Sequence, residues 1–295
     1  MNNDFWKVIN MKKVIITADS TADIPADIAE QYNIRISPLH VLYDEEDFTD
    51  GVNITPEYII KRYDEKDQLP STAAVTPEEY REFFENILNE GYTEIVHIAF
   101  CSDMSSTYQN AVIAAQEFDA NIYVVDSRCL SAGMMLLAIR ACEFRDMGFS
   151  GQRIADVIGD MTEYNVGGFL LSQLEFLHKG GRCSSVSLLG ANLLNIKPSI
   201  VVKDGAMSVA KKYRGKDEVC RLKYMKDRLS EFEGRIDTRR IVLHTTCDLS
   251  DKERKMYKKE LKKLIKCDEI IVSTAGCVIT SHCGPGTFAL FFLVK

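Results

Sequence analysis

The sequence predicts an α/β protein of two domains, the first with a mostly parallel sheet flanked by helices, the second with a mixed sheet and helices. Three observations predict it. A chain of 295 residues, 46% of them hydrophobic, carries more apolar material than one core of about 100 to 200 residues encloses. Short apolar runs alternate with helical patterns through the first half, the rhythm of crossover units that feed a parallel sheet. In the second half Asp204-Gly205 separates two apolar runs as a tight hairpin turn does, so part of that sheet runs antiparallel.

The elements follow in order. Val14 to Thr17 reads as a strand and is followed by a helix near Asp27 to Tyr32. A helix opens at Thr76, where Thr76 and Glu79 form a capping box, Pro77 takes the first helical position and Gly91 supplies the stop. Its apolar face is Tyr80, Phe83, Phe84, Ile87 and Leu88. Ile95 to Phe100 is a strand leading to a helix that ends at Phe118; Ile122 to Val125 and Leu136 to Met147 repeat the pair. Near Asn165 to Gly168 the rhythm changes, so one domain is expected over residues 11–165 and the other over 166–295. Strands are expected around Phe169 to Leu171, Ser199 to Val202, Met207 to Ala210 and Arg240 to Thr245. Ser250 with Glu253 caps a lysine-rich helix running to about Lys266, its charges forming a solvated face, and Phe288 to Val294 reads as a buried strand.

Composition narrows the function. A net charge of -7 gives no general basic face for phosphates, which argues against nucleic acid as partner. Nine cysteines, an odd number without a Cys-x-x-Cys pair, read as small buried hydrophobes in a reducing compartment, with neither disulfides nor a metal site. Met1 to Asn10 contains Asp4 and lacks the cationic and apolar segments of a secretory signal. The longest apolar run, Phe288 to Val294, is far short of the roughly 20 residues that cross a bilayer. The expected location is the cytoplasm.

Common catalytic motifs are missing: there is no Gly-x-Ser-x-Gly elbow, no Gly-Lys-Ser/Thr phosphate loop and no His-Glu-x-x-His. Gly284-Pro285-Gly286 imitates a dinucleotide-binding turn, but only six residues follow Ala289, too few for the helix such a motif needs. What stands out is a set of hydroxyl-rich segments at strand ends or before helices: Asp19-Ser20-Thr21, Ser71-Thr72, Ser102 to Thr107 and Ser281-His282. Ligands sit beside the carboxyl ends of parallel strands, and helix N-termini favour anions, so an anionic head group is the natural guest. Hydroxyls donate to a carboxylate without burying a positive charge. Each segment has a plainer reading: Ser105 or Ser106 caps the next helix, and Ser71-Thr72 is a loop after Pro70. His282, fixed by the rigid Gly284-Pro285-Gly286 turn, is either a ligand contact or a buried structural donor. His40, His97, His178 and His244 lie in or beside apolar runs and are expected to satisfy local backbone groups.

Taken together, six ordered segments resemble the DegV family from Val14 to the C-terminus. Val14-Ile15-Ile16-Thr17-Ala18-Asp19-Ser20-Thr21-Ala22-Asp23-Ile24-Pro25 is similar to that family's first strand and Asp-Ser-Thr-Ala-Asp loop. Ser105-Ser106-Thr107-Tyr108-Gln109, Val125-Asp126-Ser127, Gly180-Gly181-Arg182, Ile196-Lys197-Pro198 with Asp204-Gly205, and His282-Cys283-Gly284-Pro285-Gly286 follow in the family's order. The resemblance implies two α/β domains with a fatty acid between them, and no catalytic residue, cofactor or metal of the chain's own. Thr72, Ser105 and His282 would bind the carboxylate, with Ser106 and Gly284 beside them. Arg182 and Arg214 would face a partner fatty-acid kinase that converts the bound acid to an acyl phosphate for phospholipid synthesis. The sequence departs from the family pattern at Ser106 (usually glycine), Cys183 (often isoleucine), Cys101 (frequently serine) and over Ser71 to Pro77. Aligning back from Pro77 selects Thr72 rather than Ser71 as the head-group ligand.

Burying about a dozen methylenes at ~0.8 kcal/mol each offers roughly 10 kcal/mol before association costs, so the tail supplies affinity and the head group orientation. Met134 to Ile139 and Leu188 to Leu194 are candidate tunnel walls, with ordinary core packing the plainer job for any one of them. Two other classes compete. A serine esterase or thioesterase would pair Ser105 or Ser20 with His282 and Asp19 or Asp126. A sugar- or phosphate-binding module would need a hydrophilic cleft.

Overall fold

The computed structural model describes residues 13–183 and 196–295. Four strands, β1 (Val14–Asp19), β2 (Ile34–Ser37), β6 (Glu94–Ala99) and β7 (Asn121–Asp126), form a parallel sheet in the order β2-β1-β6-β7. Helices α1 (Ala26–Tyr32), α3 (Pro77–Asn89) and α4 (Thr107–Ala115) make the crossovers. Between β2 and β6 the chain also folds a small antiparallel sheet of β3 (His40–Tyr43), β4 (Glu46–Thr49) and β5 (Ser71–Ala73), ordered β4-β3-β5, with α2 (Pro56–Lys66) inserted. Apart from Ser71-Thr72, expected as a hydroxyl-rich strand end or loop, nothing in the sequence announces this sheet, because strands of three or four residues are too short to display a period of two.

After α5 (Ala132–Asp146) and α6 (Gly151–Met161), a six-stranded mixed sheet begins with β8 (Asn165–Leu170). α7 (Glu175–Gly180), β9 (Ile196–Lys203), β10 (Ala206–Arg214) and α8 (Asp217–Glu231) follow. β11 (Ile236–Thr245), α9 (Asp251–Leu264), β12 (Glu269–Thr274), α10 (Cys277–Cys283) and β13 (Phe288–Val294) complete the order. The sheet runs β10-β9-β8-β13-β11-β12, antiparallel except for β11 with β12. Asp204 and Gly205 both have positive φ, 51° and 79°, the primed hairpin turn that matches strand twist.

Helix α5 ties the sheets together. Ala132 through Cys142 are all buried, and a helix apolar all round must be covered on every side. It packs on β1 and β6 of the parallel sheet and on β8, β11 and β13 of the mixed one. Met134 to Ile139 take the plainer of their two expected roles and fill this shared core; Leu188 to Leu194 lie outside the described residues.

Both capping boxes form, at Thr76 with Glu79 and at Ser250 with Glu253. Helix ends differ slightly from the expected ones: α4 stops at Ala115 rather than Phe118, and α9 at Leu264 rather than Lys266. Thr76→Ala removes the acceptor for the Glu79 N–H and is expected to lower the unfolding free energy by about 1 kcal/mol. A urea titration measures this, and an unchanged midpoint contradicts it.

Candidate functional site

A cavity of about 220 Å³ opens beyond the carboxyl end of β6, and both halves of the chain line it. Phe100, Met104, Ser105 and Ser106 come from the segment between β6 and α4. Leu39, Thr72, Ala73 and Ala74 lie in or beside the three-stranded sheet. Leu177, Arg182, Met207, Val278, Ile279, His282 and Cys283 complete the wall with Leu130. Its position is the one expected for a ligand at the end of parallel strands. Arg182 is the only charged side chain among the described residues that line it.

The hydroxyls and the imidazole arrive by different routes. Thr72 is the middle residue of β5, paired with Val41, so alternation turns it away from exposed Ser71. His282 sits in the last turn of α10, and its Nε2 lies 2.8 Å from the Thr72 hydroxyl, a contact between residues 210 apart in the chain. Ser105 Oγ lies 2.6 Å from Thr107 Oγ1 and accepts the Thr107 N–H at 3.2 Å, so Ser105 both lines the cavity and closes the turn into α4. Ser106 occupies the N-cap position without a side-chain cap bond.

The remaining expected residues are placed as follows. Gly284 does not line the cavity: it ends α10 with φ +67°, and a Cβ there would sit 2.6 Å from the Phe176 ring. Its carbonyl accepts from Thr246. Arg182, just after α7, donates to the Gly180 carbonyl at 2.7 Å. Arg214 is the exposed last residue of β10. It lies seven residues beyond Met207, roughly 20 Å along the strand, so the structure does not bring it to the cavity with Arg182.

Burial, with the positive charge of Arg182 adding to it, pushes the His282 imidazole down to about 4. At neutral pH the ring is therefore uncharged and carries one proton. Its Nδ1 is shielded from solvent and has no hydrogen-bond partner, because Gly180 packs against it so closely that any Cβ would collide with the ring. A buried N–H without an acceptor is costly, so the proton belongs on Nε2, where it is donated to Thr72. The sequence reading named Gly180 only within the Gly180-Gly181-Arg182 segment and gave it no role at the site.

The relay weighed from the sequence, Ser105 or Ser20 with His282 and Asp19 or Asp126, does not form: His282 Nε2 meets Thr72, and its Nδ1 meets no partner among the described residues. Ser20 donates to Asp50 at 2.8 Å; Asp19 is held by Tyr80, His97 and the Phe100 N–H; Asp126 is held by Ser102 and Arg128. Nor do the other histidines serve local backbone groups as expected. His40 binds Asp47 and Glu79, His97 binds Thr17 and Asp19, and His244 binds Ser273 and Asp23, while His178 is exposed. Each buried ring found a distant side chain, which apolar neighbours in sequence do not reveal.

The family described as "Uncharacterised protein, DegV family" matches residues 13–295. The chain belongs to the DegV family. A DegV domain-containing protein of Caldanaerobacter subterraneus subsp. tengcongensis is 32% identical over 290 residues, covering 97% of this chain and all of that one. Among solved structures, a DegV family protein from Thermus thermophilus described for its fatty acid binding superimposes with TM-score 0.86 at 28% identity, covering 96% of this chain and 100% of that one. A DegV lipid binding protein from Thermotoga maritima superimposes with TM-score 0.85 at 27% identity, covering 96% and 98%.

The His282 environment sets a pH signature. Its folded value of about 4 lies below the ordinary imidazole value of 6.5, so between these values the unfolded chain binds a proton that the folded one does not. Stability is fully present above about pH 6.5 and declines as pH falls toward about 4. His282→Gln is expected to flatten that slope relative to the parent in urea titrations across this window; parallel slopes contradict the assignment.

Proposed function

We propose that this protein binds one long-chain fatty acid, its tail in the apolar cavity and its carboxylate at Thr72, Ser105, Ser106 and His282, and performs no chemistry on it by itself. One observation carries the reading: the 2.8 Å contact of Thr72 with His282 beside a cavity lined, among the described residues, by apolar side chains, hydroxyls and Arg182. With Nε2–H donated to Thr72 Oγ1, the Thr72 hydroxyl keeps its own hydrogen for a ligand oxygen. Ser105 and Ser106 lie at the N-terminus of α4, where free N–H groups favour an anion. The neutral ring avoids the cost of burying a second charge. The fatty acid binding described for the Thermus relative fits the same chemistry.

At about 220 Å³ the cavity is smaller than the roughly 300 Å³ at which ligand pockets usually begin. Met104 and Met207 in its wall are unbranched and flexible enough to repack around an entering chain. The finer proposal is that Arg182 and Arg214 face a fatty-acid kinase subunit that phosphorylates the held carboxylate for phospholipid synthesis in the cytoplasm. Arg214 lies roughly 20 Å along β10 from Met207 in the cavity wall, a span that fits within a standard interface of about 800 Å² per side. This reading takes residues 11–165 and 166–295 as the two domains and requires no cofactor, metal or nucleic acid. Among the described residues no helix is long and apolar enough to cross a membrane.

Organic extraction and mass spectrometry of the purified protein are expected to release about one long-chain acid per chain; an empty extract, with no uptake of added acid, overturns the reading. Thr72→Ala and His282→Ala are each expected to weaken equilibrium binding by about tenfold or more while circular dichroism stays unchanged. Undiminished affinity in both removes the site. Arg182→Ala and Arg214→Ala are expected to retain lipid and lose kinase-dependent phosphorylation, and normal transfer removes the partner assignment.

A further inference from the structure

The helix that carries His282 is held at its other end by a carboxylate from the small sheet that carries Thr72. Asp50 directly follows β4, and β4-β3-β5 is the sheet in which Thr72 pairs with Val41. Asp50 is 4% exposed. One of its oxygens accepts the N–H of Cys277, the first residue of α10, at 2.8 Å, and the other accepts the Ser20 hydroxyl at 2.8 Å. Its own N–H donates to the Leu39 carbonyl at 2.8 Å, and the Leu39 N–H returns to Ser20 Oγ at 3.1 Å. His282 lies five residues after Cys277, about 7.5 Å along the helix axis. The sheet and α10 are thus joined at two points, Asp50 to Cys277 and Thr72 to His282.

The neighbouring N–H, that of Gly276, goes to Asp23 at 2.7 Å, and Asp23 is held in turn by Ser131 and His244. Gly276 leaves little room for a side chain, since a Cβ would stand 3.1 Å from Asp23 Oδ1 and 3.3 Å from Asp50 Oδ1. Helix α10 has little stability of its own. It has seven residues and includes β-branched Val278, Ile279 and Thr280, and a helix this short does not persist without tertiary contacts.

We propose that Asp50 is a positioning residue for the carboxylate site. It fixes the start of α10 to the sheet that bears Thr72, and so sets the distance at which Thr72 meets His282. The inference rests on the fatty-acid reading above. Asp50 itself touches no ligand. A displacement of about one ångström carries a 2.8 Å hydrogen bond past the distance at which such bonds hold, and it opens the shielded Nδ1 to water.

Three variants test this, each with its fold checked by circular dichroism. Asp50→Ala removes both acceptors. Cys277→Pro removes the donated N–H from the helix side, and proline is tolerated at a first helical position. Asp50→Asn keeps an acceptor for Cys277. In Asp50→Ala and Cys277→Pro, fatty-acid affinity is expected to fall about tenfold, and the His282 ring, followed by NMR, to titrate upward from about 4 toward the ordinary value. Asp50→Asn is expected to recover most of both. The proposal is overturned if a folded Asp50→Ala or Cys277→Pro variant keeps parental affinity and parental His282 titration, or if affinity falls while the titration stays put. Failure of the parent protein to bind fatty acid at all overturns the carrier reading instead, and is separately visible.

Discussion

The structure turns on keeping one imidazole dry, neutral and in register with one hydroxyl. The Thr72–His282 contact spans 210 residues, so neither partner is aligned by its own neighbourhood. Thr72 depends on a three-residue strand that exists only by pairing with β3. His282 depends on a short helix whose first two N–H groups are taken by buried carboxylates. Gly180 then closes over Nδ1. Remove any of these and water reaches a ring whose burial is what keeps it uncharged.

The same logic of exchanging solvent for a fixed partner recurs through the interior. Asp19 is fully buried and receives the Tyr80 hydroxyl, the His97 ring and the Phe100 N–H. Asp23 receives Ser131, His244 and the Gly276 N–H. Carboxylates in a low-dielectric interior are tolerated when their lone pairs are answered. Asp19 ends β1 and Asp23 lies just beyond it, at the carboxyl end of the parallel sheet where the cavity forms, and both hold backbone groups that lead into its wall.

Much of this was legible in the sequence, for reasons that differ by element. Helix α3 was legible from its capping box, β13 from an unbroken apolar run, and the β9–β10 turn from Asp204-Gly205, because each is decided by local chemistry. The small sheet and α10 were not, since three- and four-residue strands show no period and a β-branched heptapeptide carries no helical signal. At the site, His282 was visible from the rigid turn behind it and Ser105 from its place before a helix. Gly180 and Asp50 were hidden because their roles are defined by what they touch across the fold. Gly284, expected at the ligand, packs against Phe176 instead: a positive-φ glycine serves its helix end first. Arg214, paired with Arg182 by resemblance, lies at the far end of β10 from the Met207 that lines the cavity.

Strand β13, the last of the described strands along the chain, lies in the middle of the six-stranded sheet between β8 and β11. While the polypeptide is emerging from the ribosome, β8 and β11 therefore have no partner between them, and one side of α5 has no cover. Assembly of this half waits for residue 294, and until then a broad greasy surface is available to chaperones or to aggregation. Loss of β13 would do more damage here than most substitutions, for it deletes the keystone rather than an edge.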